Sequence, residues 1–266
     1  MMVIAAIIIV EPYNKMPLAL FRFSQINYME PLKGKNVLIA GATGSIGSRA
    51  AKLLQQSGAN IFVTGRSAEK LAIVTEDLNI ESNKSLAADL SNPEQVQLLA
   101  NTFFEVYPNI DVLVNASGIG IIKTMDTLSE AEFLKTLNYN LYAPFLLVKY
   151  FLPNMKENKK GLIINIPGVL GKVPMAGAAA YSASKYGLVG MMQSIREELK
   201  RTDIRITNLF LGGVDSNFWD TIDLRVQREK MIVADEAAKA IWFLCQQPVS
   251  GVVSEMVLQP FNHQAI

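Results

Sequence analysis

The chain has 266 residues, with 25 Lys and Arg against 24 Asp and Glu, so its net charge of +1 gives it no general attraction for nucleic acid or an anionic membrane. Half of the residues are hydrophobic and 18% are charged, which excludes a disordered chain and suits one large cytoplasmic α/β protein. A single cysteine, Cys245, and a single histidine, His263, exclude an internal disulfide and a Cys/His zinc site, so no metal is expected.

Residues 1–31 read as an N-terminal extension and residues 32–266 as the folded domain. The extension opens on a ten-residue apolar run, MMVIAAIIIV. It is too short to span a bilayer and lacks the basic start and small-residue cleavage site of a secretory signal. Three roles stay open: a strand or helix packed on the domain or a partner, a membrane-surface or targeting segment, or an upstream piece with Met29 as the working start.

From Asn36 the pattern is regular. Asn36–Ala40 (NVLIA) is a short apolar run ending in glycines, as a buried strand is. Ser45–Gln56 places Ile46, Ala50, Leu53 and Leu54 on one helical face before Gly58. Residues 61–64 form a second strand, 67–78 a helix, and 85–88 a weak strand leading to Asp89. A helix over 93–107 starts with Pro93 in its first turn. Val112–Asn115 is a clear strand. Helical periodicity over 129–156 is interrupted around 140–144. A strand at 162–166, a helix at 181–201, a strand at 204–210, a helix at 235–245 and a strand at 256–259 complete the series. Strands alternating with helices predict a doubly wound parallel sheet covered on both faces, with ligands at the strand C-terminal edge.

Gly41-Ala-Thr-Gly44-Ser-Ile-Gly47 falls between the first strand and the first helix. There, glycines allow a tight turn and close backbone approach, and the helix N-terminus faces an anionic pyrophosphate. The position, more than the pattern, points to dinucleotide binding. At the end of the second strand, an NAD site would place an acidic residue on the ribose hydroxyl. This chain has Gly65, Arg66 and Ser67 instead, so no carboxylate repels a 2′-phosphate and a guanidinium is available to pair with it. The expected coenzyme is NADP(H) in preference to NAD(H).

Tyr181-Ser-Ala-Ser-Lys185 sets a phenol and an ammonium four residues apart, on one helical face. A free phenol near pKa 10 is a poor acid–base group at neutral pH, and a neighbouring ammonium would lower that value.

Together, GATGSIG at Gly41–Gly47, Asp89, NASG at Asn115–Gly118, Asn140, YSASK at Tyr181–Lys185 and LGGVDS at Leu211–Ser216 resemble the short-chain dehydrogenase/reductase family over roughly residues 32–260. The resemblance implies a single-domain, seven-stranded Rossmann fold that assembles as a homodimer or homotetramer. It implies hydride transfer between a nicotinamide and a small carbonyl or alcohol substrate. Carried over residue by residue, Tyr181 is the acid–base group, Lys185 binds the nicotinamide ribose and depresses the tyrosine pKa, and Asn140 holds a proton-relay water. The implied coenzyme site comprises Gly41, Thr43, Gly44, Ser45, Ile46 and Gly47, with Arg66, Ser67, Asp89 and Leu90 toward the adenosine. Asn115, Ala116, Ser117 and Gly118 continue it, and Gly212, Val214 and Ser216 close over the nicotinamide together with Tyr181 and Lys185.

Four positions depart from the family pattern. The family's catalytic serine lies 13 residues before the tyrosine, where this chain has Gly168, preceded by Pro167; losing such a donor costs about 10²–10³ in rate. Ser117, Ser182, a water or a substrate hydroxyl could substitute. Ser45 replaces the middle glycine of the turn, Leu211 replaces a proline, and NASG replaces NNAG. Phe218, Trp219, Ile222 and Leu224 are expected to form an apolar lid, while Cys245 reads as a packed thiol and His263 as non-catalytic. Two functions follow: an NADP(H)-dependent oxidoreductase, or an NADP(H)-binding pseudo-enzyme serving as sensor, scaffold or partner subunit because Gly168 replaces the serine.

Overall fold

The computed structural model describes residues 30–248 and 250–262. The apolar run at the N-terminus, the alternative start at Met29 and His263 lie outside the described residues.

The apolar runs become strands, all but the third buried on both faces along most of their length. They are β1 (Asn36–Ala40), β2 (Asn60–Gly65), β3 (Ser85–Ala87), β4 (Val112–Asn115), β5 (Lys160–Asn165) and β6 (Asp203–Leu211). The helices between them are α1 (Ser45–Gln56), α2 (Ala68–Asp77), α3 (Pro93–Val106), α4 (Glu130–Leu137), α5 (Ala143–Glu157) and α6 (Ala179–Glu198). After β6 come the two-residue strands β7 (Val214–Asp215) and β8 (Ile232–Val233), then α7 (Ala234–Leu244) and β9 (Glu255–Leu258).

The main sheet has seven parallel strands in the order β3-β2-β1-β4-β5-β6-β9. Strand order reverses between β1 and β4, which opens a crevice at the strand C-termini. Alternate residues of each strand feed two cores. Val37, Ile39, Val112, Val114 and Ile164 pack with Ala50 and Leu54 of α1 and Ile241 of α7. Leu38, Leu113 and Ile163 pack with Phe103 of α3, Phe151 of α5 and Leu188 of α6. This is the doubly wound Rossmann arrangement expected from the alternation of elements.

The predicted interruption around 140–144 has a definite form. α4 ends at Leu137, residues Asn138–Tyr142 make one wide π-helical turn, and α5 resumes at Ala143 with Pro144 in its first turn. Pro144 has no N–H to give the helical ladder, so the wide turn carries the chain past it without a break. Ser129 starts α4 through a reciprocal capping box with Glu132. No helix among the described residues is long and apolar enough to cross a membrane.

Candidate active site

Every predicted site residue falls at the C-terminal edge of the sheet or on the helices that face it. Gly41 closes the β1–α1 turn at φ +85°, and a Cβ there would stand 2.7 Å from the Ser117 backbone nitrogen. Glycine is thus required both for the left-handed backbone and for contact with the end of β4. Gly44 caps α1 without a side-chain hydrogen bond, and the first turn holds no acidic residue, so free N–H groups and the positive helix end face outward. In front of them lies a polar cavity of about 370 Å³ walled by Thr43, Ser45, Ser48, Arg49, Asp215 and Arg228. Both arginines already have partners. Arg49 bonds Asp235 and the Ser45 carbonyl, and Arg228 bonds Asp215, Asp220 and the Ser216 carbonyl. Ser45, the departure in the glycine turn, accepts a 3.3 Å hydrogen bond from the Asn217 amide and so ties the turn to the segment after β7.

A second group surrounds the end of β2. Gly65 has no Cβ because Thr43 packs onto it; an added Cβ would lie 2.6 Å from Thr43 Cγ2. Arg66 is exposed, with its guanidinium carbon 5.2 Å from the Tyr139 ring centre. The Tyr139 hydroxyl donates to Asp89 Oδ2 at 3.0 Å, and Ser91 donates to Asp89 Oδ1 through both its amide and its hydroxyl. Burial alone would raise the Asp89 carboxyl, but those hydrogen bonds and the Arg66 charge hold it below its usual value. Leu90 is buried beneath the group. Ser67 is the N-cap of α2 and accepts from the Lys70 amide, which leaves its own O–H hydrogen to donate.

The third group lies between the ends of β4 and β5 and the start of α6. Asn115 and Asn165 are neighbours across β4 and β5; Asn115 donates to Asn165 Oδ1 and accepts from the Ser117 hydroxyl at 2.7 Å. Asn140 sits in the π turn, fully buried. Its amide donates to the Ile119 carbonyl and the Ser184 hydroxyl, while its oxygen accepts from the Ile119 amide. These three bonds make the Asn140 side chain a brace between the β4 exit and α6. A Cβ on Gly118 would sit 3.0 Å from Asn140 Oδ1 and 3.4 Å from Lys185 Nζ, so the bare backbone there brings the two side chains to one floor.

Lys185 is 4% exposed; its ammonium donates to the Ile166 carbonyl at 3.2 Å and lies 5.4 Å from the Tyr181 ring centre. The Tyr181 hydroxyl bonds to no group among the described residues. Burial pushes the phenol up and pushes Lys185 down to about 8. The expected lowering of the phenol by its ammonium neighbour is not seen in the protein alone, where burial is the cause acting on Tyr181.

Phe218 meets the Tyr181 ring edge-on at 5.9 Å and fills the space a Cβ on Gly120 would need; Ile222 also packs on Gly120. Trp219 stacks edge-on against Phe218 and donates its indole N–H to the Val214 carbonyl. The expected apolar lid thus rests on Phe218 and Ile222, while Leu224 is exposed. Cys245 is a buried thiol pushed up to about 12, as a packed thiol is.

Gly168 has φ +68° and ψ 170°, a region open essentially to glycine alone, and leads into a 3₁₀ turn over Val169–Gly171. The position that lacks a hydroxyl is also one whose backbone disfavours any side chain. Of the two serines among the expected substitutes, the Ser117 hydroxyl is committed to Asn115, and Ser182 Oγ is buried with no hydrogen-bond partner. Gly212 lets the chain pass Pro260, Val214 lies in β7, and the Ser216 hydroxyl turns back to the Val214 carbonyl. Motif reasoning did not single out Tyr139 or Arg228. Tyr139 is signalled only by standing beside Asn140, and Arg228 by no local pattern.

Comparison with known proteins gives concordant matches. Residues 35–226 match the family model for short chain dehydrogenases. A ketoacyl reductase, HetN, from a Nostoc species is 34% identical over 245 residues, covering 86% of this chain and 85% of its own. A metagenomic short-chain oxidoreductase solved in complex with NADP is 32% identical, with a TM-score of 0.75 over 87% of this chain and 99% of its own. An alcohol dehydrogenase from the archaeon Thermococcus sibiricus, complexed with 5-hydroxy-NADP, is 25% identical, with a TM-score of 0.79 over 88% of this chain and 100% of its own.

Proposed function

The chain belongs to the short-chain dehydrogenase family, and we propose that it is an NADP(H)-dependent reductase of a small ketone or ketoacyl group, with Tyr181 as its general acid. The observation that carries this reading is the unengaged Tyr181 hydroxyl beside the buried Lys185 ammonium, at the sheet edge where the glycine turn also lies. The residues fit a dinucleotide. Gly41 keeps the β1–α1 turn free of a Cβ, the α1 N-terminus offers N–H groups to a diphosphate, and Arg66 presents unpaired donors at the end of β2. The NADP-bound relatives and the ketoacyl reductase relative support the coenzyme and the direction.

When bound, the coenzyme supplies the hydride; the protein manages the proton. Tyr181 hydrogen-bonds the substrate oxygen and gives up its proton as the carbonyl becomes an alkoxide, so the product leaves as an alcohol. The Lys185 cation then offsets the phenolate, whose charge the buried site would otherwise disfavour. Asn140 fixes the floor beneath Lys185 through Ile119 and Ser184. Phe218 and Ile222 exclude water from above. Tyr142, the last residue of the π turn, and Phe145 of α5 are exposed and stacked on each other, which supports assembly with a second copy.

The test is turnover of NADPH with a panel of ketones and ketoacyl thioesters. Oxidation of NADPH that depends on Tyr181 supports the reading. Tight NADPH binding without turnover across the panel overturns it in favour of a coenzyme-binding pseudo-enzyme.

A further inference from the structure

Tyr139 has no part in the proton chemistry, yet it holds together the two charged groups at the end of β2. Its ring face carries the Arg66 guanidinium and its hydroxyl engages Asp89. Arg66 makes no hydrogen bond or ion pair among the described residues. A guanidinium resting on a ring by its face keeps its in-plane N–H groups free, and those are the groups that grip a phosphate in a two-pronged contact. Had Arg66 paired directly with Asp89, the same donors would be spent on the carboxylate. The Tyr139 hydroxyl, together with Ser91, instead occupies that carboxylate and keeps it turned to its own hydrogen bonds. A long, exposed arginine also loses much rotamer freedom when it binds, and a preformed perch reduces that loss.

From this we infer that Tyr139 is a positioning residue for coenzyme choice: it presents Arg66 to the 2′-phosphate of NADP(H) and so sets the preference over NAD(H). The inference rests on the proposed reading of Arg66. It does not depend on Tyr181 or on turnover.

The experiment is a fluorescence or calorimetric titration of NADPH and NADH against the wild-type chain, Arg66→Ala, Tyr139→Leu, Tyr139→Phe and the Arg66→Ala/Tyr139→Leu double variant. Circular dichroism checks folding, and Tyr139→Gln stands in if the leucine variant does not fold. The wild type binds NADPH more tightly, and Arg66→Ala removes most of that preference. Tyr139→Leu weakens NADPH by about two- to five-fold, the size of an exposed cation–ring contact, and leaves NADH nearly unchanged. Tyr139→Phe restores the ring and most of the preference, and the double variant is no worse than Arg66→Ala alone. If Tyr139→Leu weakens both coenzymes equally while Arg66→Ala is selective, Tyr139 is only a wall and the inference fails, with the Arg66 reading intact. If Arg66→Ala is not selective, both fail together, while the assignment of Tyr181 is untouched.

Discussion

The crevice has two ends that treat charge in opposite ways. At the end of β2, Arg66 is exposed and Asp89 is held below its usual pKa by hydrogen bonds and a nearby cation, so both are charged at neutral pH. At the start of α6, Lys185 is buried and Tyr181 half-buried, and burial drives each toward its neutral form. On the proposed reading, one end grips a charged group and the other moves a proton. Two consecutive residues of one π turn serve them separately, Tyr139 facing Asp89 and Asn140 facing Ser184. Binding and chemistry should therefore be separable by mutation.

The largest effect is expected at the reaction end. Tyr181→Phe removes the proposed acid and keeps the ring packed against Phe218, so turnover should fall about 10²–10⁴-fold. The NADPH dissociation constant, read by fluorescence titration, should move by no more than about threefold because no charge is lost. A variant that loses coenzyme and turnover in equal measure would show that the two ends are not independent.

Next is the response to pH. The folded chain holds Lys185 near 8, against 10.5 for an unburied lysine. If the Lys185 cation offsets the phenolate, kcat/KM should fall above about pH 8, and Lys185→Arg should move that limb upward because a guanidinium keeps its proton. Stability follows by linkage. Between about 8 and 10.5 the unfolded chain carries a proton on this lysine that the folded chain has released, so Lys185 makes stability rise with pH across that window. Tyr181, pushed up by burial, acts in the opposite sense once pH exceeds its ordinary value of 10.0. Urea unfolding from pH 7 to pH 10, with Lys185→Met as the reference, isolates the lysine; an unchanged slope in that variant would remove the buried cation from the account.

The third effect is structural. Gly168→Ser puts a side chain on a backbone at φ +68° and ψ 170°, and should cost about 1–3 kcal/mol in urea unfolding, with Gly168→Ala costing the same. If the serine variant gains activity at no cost in stability, the glycine is a lost donor that the backbone tolerates, and the strain argument is wrong.

What could be read from sequence and what could not divide along physical lines. The central strands of the main sheet are visible because two-sided burial forces unbroken apolar runs, and only their ends shift, as at β5, whose first residue, Lys160, is exposed; the edge strands β3 and β9 are only partly buried and carry a weaker signal. Tyr181 and Lys185 are visible because their relation is local, one helical turn. β7 and β8 have two residues each, too few for any periodicity. Tyr139 meets Asp89 across 50 positions, and Arg228 gathers Asp215, Asp220 and the Ser216 carbonyl through a loop with no regular pattern. Gly168 reads in sequence as an absent hydroxyl, and only its dihedral angles show that the glycine answers a backbone demand.

The smallest effect tests whether the two ends communicate at all. Ser45 lies in the β1–α1 turn, and its hydroxyl accepts from Asn217, the residue before Phe218, which covers Tyr181. This single bond, 3.3 Å long and exposed, is the contact between turn and lid that a small change can remove. Ser45→Ala deletes the acceptor and leaves the helix start otherwise intact. A net hydrogen bond of about 0.5–1.5 kcal/mol bounds the effect, and exposure places it at the low end. KM for NADPH and for NADH should each rise about two- to threefold together, since the bond senses neither the 2′-phosphate nor the proton. The alkaline limb near pH 8 should stay where it is, and cleavage by protease near residues 217–221 should quicken as the lid loosens. A shift of the alkaline limb in Ser45→Ala would mean that lid position controls how dry Lys185 is, and the two ends would then have to be treated as one coupled site.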